Sequence, residues 1–155
     1  MSASTSPARK ADSRLILLVE DNPDHAELVR RALGVEQPPI DIHHVTDGAA
    51  ALAFLADVMS PDATRGSKPR PRLILLDLRL PKVDGIDVLR QVKSAPTMQH
   101  IPVVMLTTST SEADVVRAHR HHVNSYLKKP LDFTEFMRMM KDVVCYWLTW
   151  NHAPV

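Results

Sequence analysis

A chain of 155 residues with 19 Lys and Arg against 18 Asp and Glu carries a formal charge of +1. It is long enough for one well-buried core, too short for two ordinary domains, and has neither a basic stripe for nucleic acid nor an acidic tail for a basic partner. The single cysteine, Cys145, excludes an intramolecular disulfide. Residues 1–13, polar and rich in Ser and Ala, lack the apolar run of a signal peptide or membrane span. The expectation is a cytoplasmic protein with a disordered lead-in over 1–13, one domain over 14–150 and a short tail over 151–155.

Along the chain, strand and helix signals alternate. Leu15-Ile16-Leu17-Leu18-Val19 is an unbroken apolar run ending in Glu20-Asp21, as a strand buried on both faces of a parallel sheet reads. Asn22-Pro23-Asp24 starts a helix, with Pro at its first positions and Ala26, Val29 and Leu33 on one face. Ile40 through Val45 half alternates, as an edge strand does, and Asp47-Gly48 turns the chain into an Ala-rich helix from 49 to about 59 with Leu52 and Leu55 inward. Residues 60–72, with three prolines and a glycine, form an irregular loop or a frayed helix end.

Leu73-Ile74-Leu75-Leu76-Asp77 follows as the central strand. Asp84-Gly85-Ile86-Asp87 caps a helix that turns Ile86, Leu89 and Val92 inward. The fourth strand, Pro102 through Thr107, also ends in a polar residue. Ser111-Glu112-Ala113-Asp114 resembles a capping box, Ser125-Tyr126-Leu127-Lys128-Lys129 is a fifth strand broken by Pro130, and one long helix runs from 132 to about 150. Five strands alternating with five helices predict an α/β fold, a doubly wound parallel sheet with helices on both faces.

That architecture makes the strand ends informative. A lone strand-end Asp is as readily a turn residue as a site residue, but the carboxyl ends of parallel strands share one rim. Glu20, Asp21, Asp77, Thr107 and Lys129 are therefore expected to converge. Three carboxylates at close range repel one another unless a cation intervenes, and carboxylates with a backbone carbonyl and room for water suit Mg²⁺. An anionic phosphoryl group then fits between the cation and the Lys129 ammonium, with the Thr107 hydroxyl donating to it and Asp77 as nucleophile.

With the acidic pair Glu20-Asp21, Asp77 followed by Pro81 and Asp84-Gly85, Thr107, and Lys129-Pro130 in this order, residues 14–148 resemble the response-regulator receiver domains of two-component signalling. The resemblance implies a flavodoxin-like sheet of order 2-1-3-4-5. It makes Asp77 the phosphoacceptor and Glu20, Asp21, Asp77 and the Arg79 carbonyl the Mg²⁺ ligands. It also implies a switch pair of Thr107 and Tyr126, a cis Lys129–Pro130 bond, and phosphorylation by a sensor histidine kinase. The long loop before Arg72, Leu106-Thr107-Thr108-Ser109 and the aromatic Tyr146-Trp147-Leu148 end look like stand-alone regulators paired with phytochrome-type histidine kinases. Arg79 and Thr108 depart from the commoner pattern at positions that in this family influence phosphoryl lifetime.

Other readings are weighed against this one. A phosphorelay intermediate or phosphate sink shares the same site. A Mg²⁺-dependent aspartyl-phosphate phosphatase needs a second acid where Arg79 stands, and a nucleotide- or flavin-binding module needs a phosphate loop where Glu20-Asp21-Asn22-Pro23-Asp24 stands. Such a domain is not an enzyme beyond its own phosphorylation and dephosphorylation. His119, His121 and His122, with His119 and His122 on one helical face, read as solvated rather than metal-binding. Cys145 reads as inert packing, and Met137, Met139 and Met140 fill a core or an interface.

The last helix carries an inward stripe of Phe133, Phe136, Met140, Val144 and Trp147. A second stripe, Met139, Val143, Tyr146 and Trp150, is expected to pair two copies in a homodimer. The alternative is that the N-terminal tail or the 61–71 loop covers it.

Overall fold

The structure is a computed structural model and describes residues 14–60 and 69–154. The expected lead-in over 1–13 and most of the 60–72 loop lie outside the described residues. Five parallel strands, β1 (Leu15–Val19), β2 (Asp41–Val45), β3 (Leu73–Leu76), β4 (Val103–Thr107) and β5 (Ser125–Lys128), form one sheet of order β2-β1-β3-β4-β5. The helices are α1 (Pro23–Leu33), α2 (Gly48–Val58), α3 (Gly85–Ser94), α4 (Glu112–Arg120) and α5 (Phe133–Val144), the last widening into a π-helical turn over Cys145–Trp150. No helix among the described residues is long and apolar enough to cross a membrane.

Successive side chains of a strand point to opposite faces, so each all-apolar run feeds two cores. Leu15, Leu17 and Val19 of β1 pack with α2 and α3 on one face. Ile16 and Leu18 pack with α1 and α5 on the other. The inner strands β1, β3 and β4 are buried throughout, whereas the edges β2 and β5 are half-buried, which is why only the inner strands read as unbroken apolar runs.

Local chemistry sets the helix starts. The Asn22 side chain accepts from the amides of Asp24 and His25, and those of Asp47 and Asp132 accept from Ala50 and Glu135, each satisfying orphan donors of a first turn. The capping box expected at the start of α4 does not form. Ser111 makes no side-chain cap, and Asp114 turns inward to Ser109 and Arg79 instead.

The C-terminal helix also departs from expectation. Its buried stripe is Phe136, Met140, Val144 and Leu148; Trp147 is half-buried, and Phe133 is exposed at the helix start. A stripe repeating every four residues drifts roughly 40° per step around an α-helix. The wider π turn, closed by Asn151 N donating to Tyr146 O at 2.7 Å, rotates Leu148 back onto the core. Cys145 faces solvent rather than packing inside. The Lys129–Pro130 bond is trans; the cis bond among the described residues is Gln37–Pro38. X–Pro amides prefer trans only slightly, so a lysine before a proline does not by itself dictate the cis isomer.

Two glycines bring the loop after β3 close to its neighbours. A Cβ at Gly85 would lie 2.2 Å from the Asp77 carbonyl oxygen and 2.8 Å from Leu78 Cα, and a Cβ at Gly48 would lie 2.0 Å from the Val83 carbonyl oxygen. Gly85 thus lets α3 start directly against the exit of β3, where its N–H donates to Leu78 O at 2.9 Å. Gly85→Ala is expected to lower the unfolding free energy by about 2–3 kcal/mol through overpacking against backbone. Urea denaturation checks this, and an unchanged midpoint with an unchanged slope would show that the contact is not constraining.

Candidate functional site

The carboxyl rim of the sheet collects the predicted residues. Glu20 directly follows β1 and its N–H donates to Val45 O, and Asp77 directly follows β3 and its N–H donates to Val19 O. Strand pairing itself therefore places the two acids side by side. Glu20, Asp21 and Asp77 each offer a carboxylate oxygen within 4.8 Å of the others, with Glu20 buried and Asp21 exposed. Such a set, all hard oxygen with one ligand on the solvent side, fits a small divalent cation that keeps part of its water.

Lys129 reaches this cluster from beyond β5. Its backbone N–H donates to Thr107 O at 2.8 Å. Its Nζ lies 2.6 Å from Glu20 Oε2, 2.8 Å from His25 Nδ1 and 3.2 Å from Asp77 Oδ2. An ammonium has three protons and no acceptor, and here it has three partners. His25 must therefore present Nδ1 as an acceptor. Burial, and then the Lys129 charge, holds the His25 imidazole below its ordinary pKa and so favours that neutral form.

The second carboxylate oxygens of Asp77 and Glu20 are also committed. Asp77 Oδ1 accepts from Leu78 N–H at 2.7 Å, which fixes the carboxylate rotation, and Glu20 Oε1 accepts from Asn22 N–H at 3.1 Å. Behind them, His44 Nε2 donates to Glu20 O at 2.7 Å, while its Nδ1 lies 3.2 Å from Arg30 Nη2.

Thr107, fully buried at the end of β4, accepts at Oγ1 from Ser109 N–H at 3.2 Å. Tyr126, on β5, donates its hydroxyl to Ser109 O at 2.9 Å. Both expected switch residues thus grip Ser109. Arg79 carries its side chain away from the acids to Asp114. His25, Ser109 and Asp114 are site residues that sequence reasoning misses. His25 is one turn past the acidic pair, the single signal that points to it; nothing local marks Asp114, whose role depends on α4 packing beside the loop after β3.

The histidines at the end of α4 do not share a helical face: the helix stops at Arg120, and His122 has φ 63°. Among the described residues the cluster suited to a metal is the one formed by Glu20, Asp21 and Asp77.

A parallel sheet of this order, with an acidic cluster and a buried lysine on its carboxyl rim, defines a phosphoryl-accepting signalling domain. Residues 16–141 match the model of the response regulator receiver domain, and the chain belongs to that family. It is 48% identical over 143 residues to Probable methanogenesis regulatory protein FilR2 of Methanothrix harundinacea, covering 92% of this chain and 89% of the relative. It is 40% identical over 135 residues to Response regulator Rcp1 of Synechocystis, covering 87% of this chain and 89% of the relative. Among solved structures, the phosphorylated cyanobacterial phytochrome response regulator RcpA superposes with a TM-score of 0.82 at 38% identity, covering 91% of this chain and 98% of that one. The Mn²⁺-bound form of Rcp1 gives 0.80 at 40% identity, covering 91% and 99%. Receiver domains bind a divalent metal at their acidic site, and the Glu20, Asp21 and Asp77 cluster stands at that place.

The electrostatics of the site make its stability depend on pH. The Glu20 carboxyl is pushed up to about 7 from 4.5, chiefly by burial; the Lys129 hydrogen bond opposes this and the Asp77 charge adds to it. Repulsion among the acids, the cause expected from the sequence, is therefore secondary to desolvation. A carboxyl raised in the folded state binds its proton more tightly there than in the unfolded chain. Its contribution is full below about 4.5 and is lost as pH rises to about 7. Thermal midpoints measured without metal are expected to fall across that window, and Glu20→Gln should flatten the slope. A slope identical in Glu20→Gln would refute the assignment.

Proposed function

We propose that Asp77 accepts a phosphoryl group from a phosphohistidine of a sensor kinase, with Mg²⁺ held by Glu20, Asp21, Asp77 and the Arg79 carbonyl. The observation that carries this is the Asp77 carboxylate, fixed by Leu78 N–H on one oxygen and 3.2 Å from the Lys129 ammonium on the other, inside the acidic cluster. An Asp77 oxygen forms the new bond to phosphorus while the phosphorus–nitrogen bond of the donor breaks and its electron pair returns to the imidazole. Lys129 neutralises charge on the entering group, and Thr107 turns its hydroxyl toward a phosphoryl oxygen. The cation, when bound, lowers the repulsion between the acids and the anionic donor.

Movement of Thr107 loosens its hold on Ser109, and Tyr126, bonded to the same residue, follows. The result is a shift between two arrangements of the loop from β4 to α4, not a refolding. The similarity to the phytochrome response regulator RcpA supports a phytochrome-type histidine kinase as the partner, and we place the exchange in the cytoplasm. Incubation with acetyl phosphate and Mg²⁺ should add one phosphoryl mass to the parent and none to Asp77→Asn, with transfer abolished by excess chelator. Equal labelling of Asp77→Asn, or undiminished transfer in chelator, would sink the reading.

The outer side of α5 supports a homodimer. Tyr146 and Trp150 are 54% and 72% exposed, and Met139 and Val143 are half-buried beside them. A groove of about 440 Å³ between β5 and α5 is lined by Leu127, Pro130, Met139 and Val143 together with Glu135, Arg138 and Asp142. A second copy related by a twofold axis brings apolar surface to apolar surface and sets opposite charges within reach of each other, so one patch serves both subunits. Sedimentation at tens of micromolar is expected to show a dimer weakened by Tyr146→Ala and Trp150→Ala, whereas a monomer with and without phosphorylation refutes it.

A further inference from the structure

Asp114 is the charged group the mechanism leaves unused. It is 6% exposed, on the first turn of α4, and its carboxylate caps no helix. Oδ2 accepts from Ser109 Oγ at 2.7 Å and from Arg79 Nη2 at 3.2 Å, and Oδ1 lies 3.9 Å from Arg117 Nη1. One buried carboxylate thus ties together the segment after Asp77 and the segment after Thr107. Arg79 is two residues beyond the phosphoacceptor, 71% exposed, and the anchor of its guanidinium is Asp114. Ser109 in turn gives its N–H to Thr107 Oγ1 and its carbonyl to Tyr126.

We propose that Asp114 is a positioning residue for the phosphoryl chemistry of Asp77. It holds the Arg79 guanidinium over α4 and keeps it off the open face of the site, where the attacking water must enter. The inference rests on Asp77 being the phosphoacceptor. Hydrolysis forms a bond from a water oxygen to phosphorus and breaks the bond to the Asp77 oxygen. The electron pair returns to the carboxylate, the water gives up a proton, and inorganic phosphate leaves.

A guanidinium deprived of its carboxylate partner is attracted to the nearest multiply charged anion, and an arginine side chain two residues away has the length to reach it. Lying across the phosphoryl group, it adds bulk on the path of in-line attack. Asp114 therefore shortens the life of the phosphorylated state by parking this cation elsewhere. The isosteric, neutral substitution Asp114→Asn keeps an acceptor for Ser109 and loses the charge that holds Arg79.

The test uses the full chain labelled with acetyl [³²P]phosphate and Mg²⁺, freed of donor and followed as label decays from the protein. Asp114→Asn is expected to lengthen the half-life at least about threefold, the scale on which such coupled residues act. In an Arg79→Ala background the same substitution should change it less than about twofold, because the cation it releases is gone. Asp114→Ser, smaller and also uncharged, gives a second measurement, and thermal unfolding confirms that each variant is folded. A half-life equal to or shorter than the parent's in both Asp114 variants overturns the proposal, as does an effect that persists without Arg79. A parent that takes no label, or label that survives Asp77→Asn, overturns the phosphoacceptor reading itself and is seen before any Asp114 variant is compared.

Discussion

A lysine ammonium that is 5% exposed persists inside a protein only where each of its protons finds an acceptor. Lys129 finds them on three elements far from it in sequence: Glu20 just after β1, His25 in the first turn of α1 and Asp77 just after β3. Parallel pairing of β1 with β3, and of β3 with β4 and β4 with β5, is what carries these groups to one rim. Removing any one acceptor leaves a proton of the buried ammonium without its partner, so the constraint acts on the fold as well as on the chemistry. Such buried pairs seldom add net stability over a hydrophobic core. The proposed phosphoryl transfer to Asp77 gives these charges a role at the sheet edge beyond folding.

From this centre two further sets of contacts run outward. Toward β2, the Glu20 carbonyl is held by His44, itself bonded to Arg30 of α1, so the acid that touches Lys129 is braced from behind. Toward β4 and β5, Thr107, Ser109 and Tyr126 share hydrogen bonds across the loop that leads into α4. Asp114 joins that loop to Arg79. The first set is backed by packed strand and helix. The second hangs on single hydrogen bonds to one serine, and such loops are drawn from the low-stability part of a fold. Packed acids beside a loop tied through one serine place the two sets of contacts under different constraint.

Helix α5 presents two different sides. Its inner side closes the core of the sheet through Phe136, Met140, Val144 and Leu148. The last turn widens so that Leu148 stays inward, and Tyr146 and Trp150 are left facing out, with Tyr146 edge-on to Trp147 at 4.9 Å. Two large aromatic side chains in water beside an apolar groove are the feature on which the proposed homodimer rests.

The sequence by itself determined the alternation of elements, the strand order through its family resemblance, the inward faces of α1 and α3, and the rim that gathers Glu20, Asp21, Asp77, Thr107 and Lys129. Unbroken apolar runs ending in polar residues are properties of each segment, so no knowledge of the whole was needed. Only the tertiary structure decided the roles of His25, Ser109 and Asp114, because each is defined by a partner on another element. Ser111 and Asp114 have the spacing of a capping box, yet Asp114 is taken by Arg79 from the loop after β3. Phe133 and Trp147 have the period of a buried stripe, yet the phase of the helix is set by where Leu148 meets the sheet. Cys145 sits among apolar neighbours in sequence and faces water in the fold. Periodicity reports which residues share a face of an element, whereas burial and charge pairing depend on which other element arrives to cover that face, and that is settled only when the sheet and its helices close together.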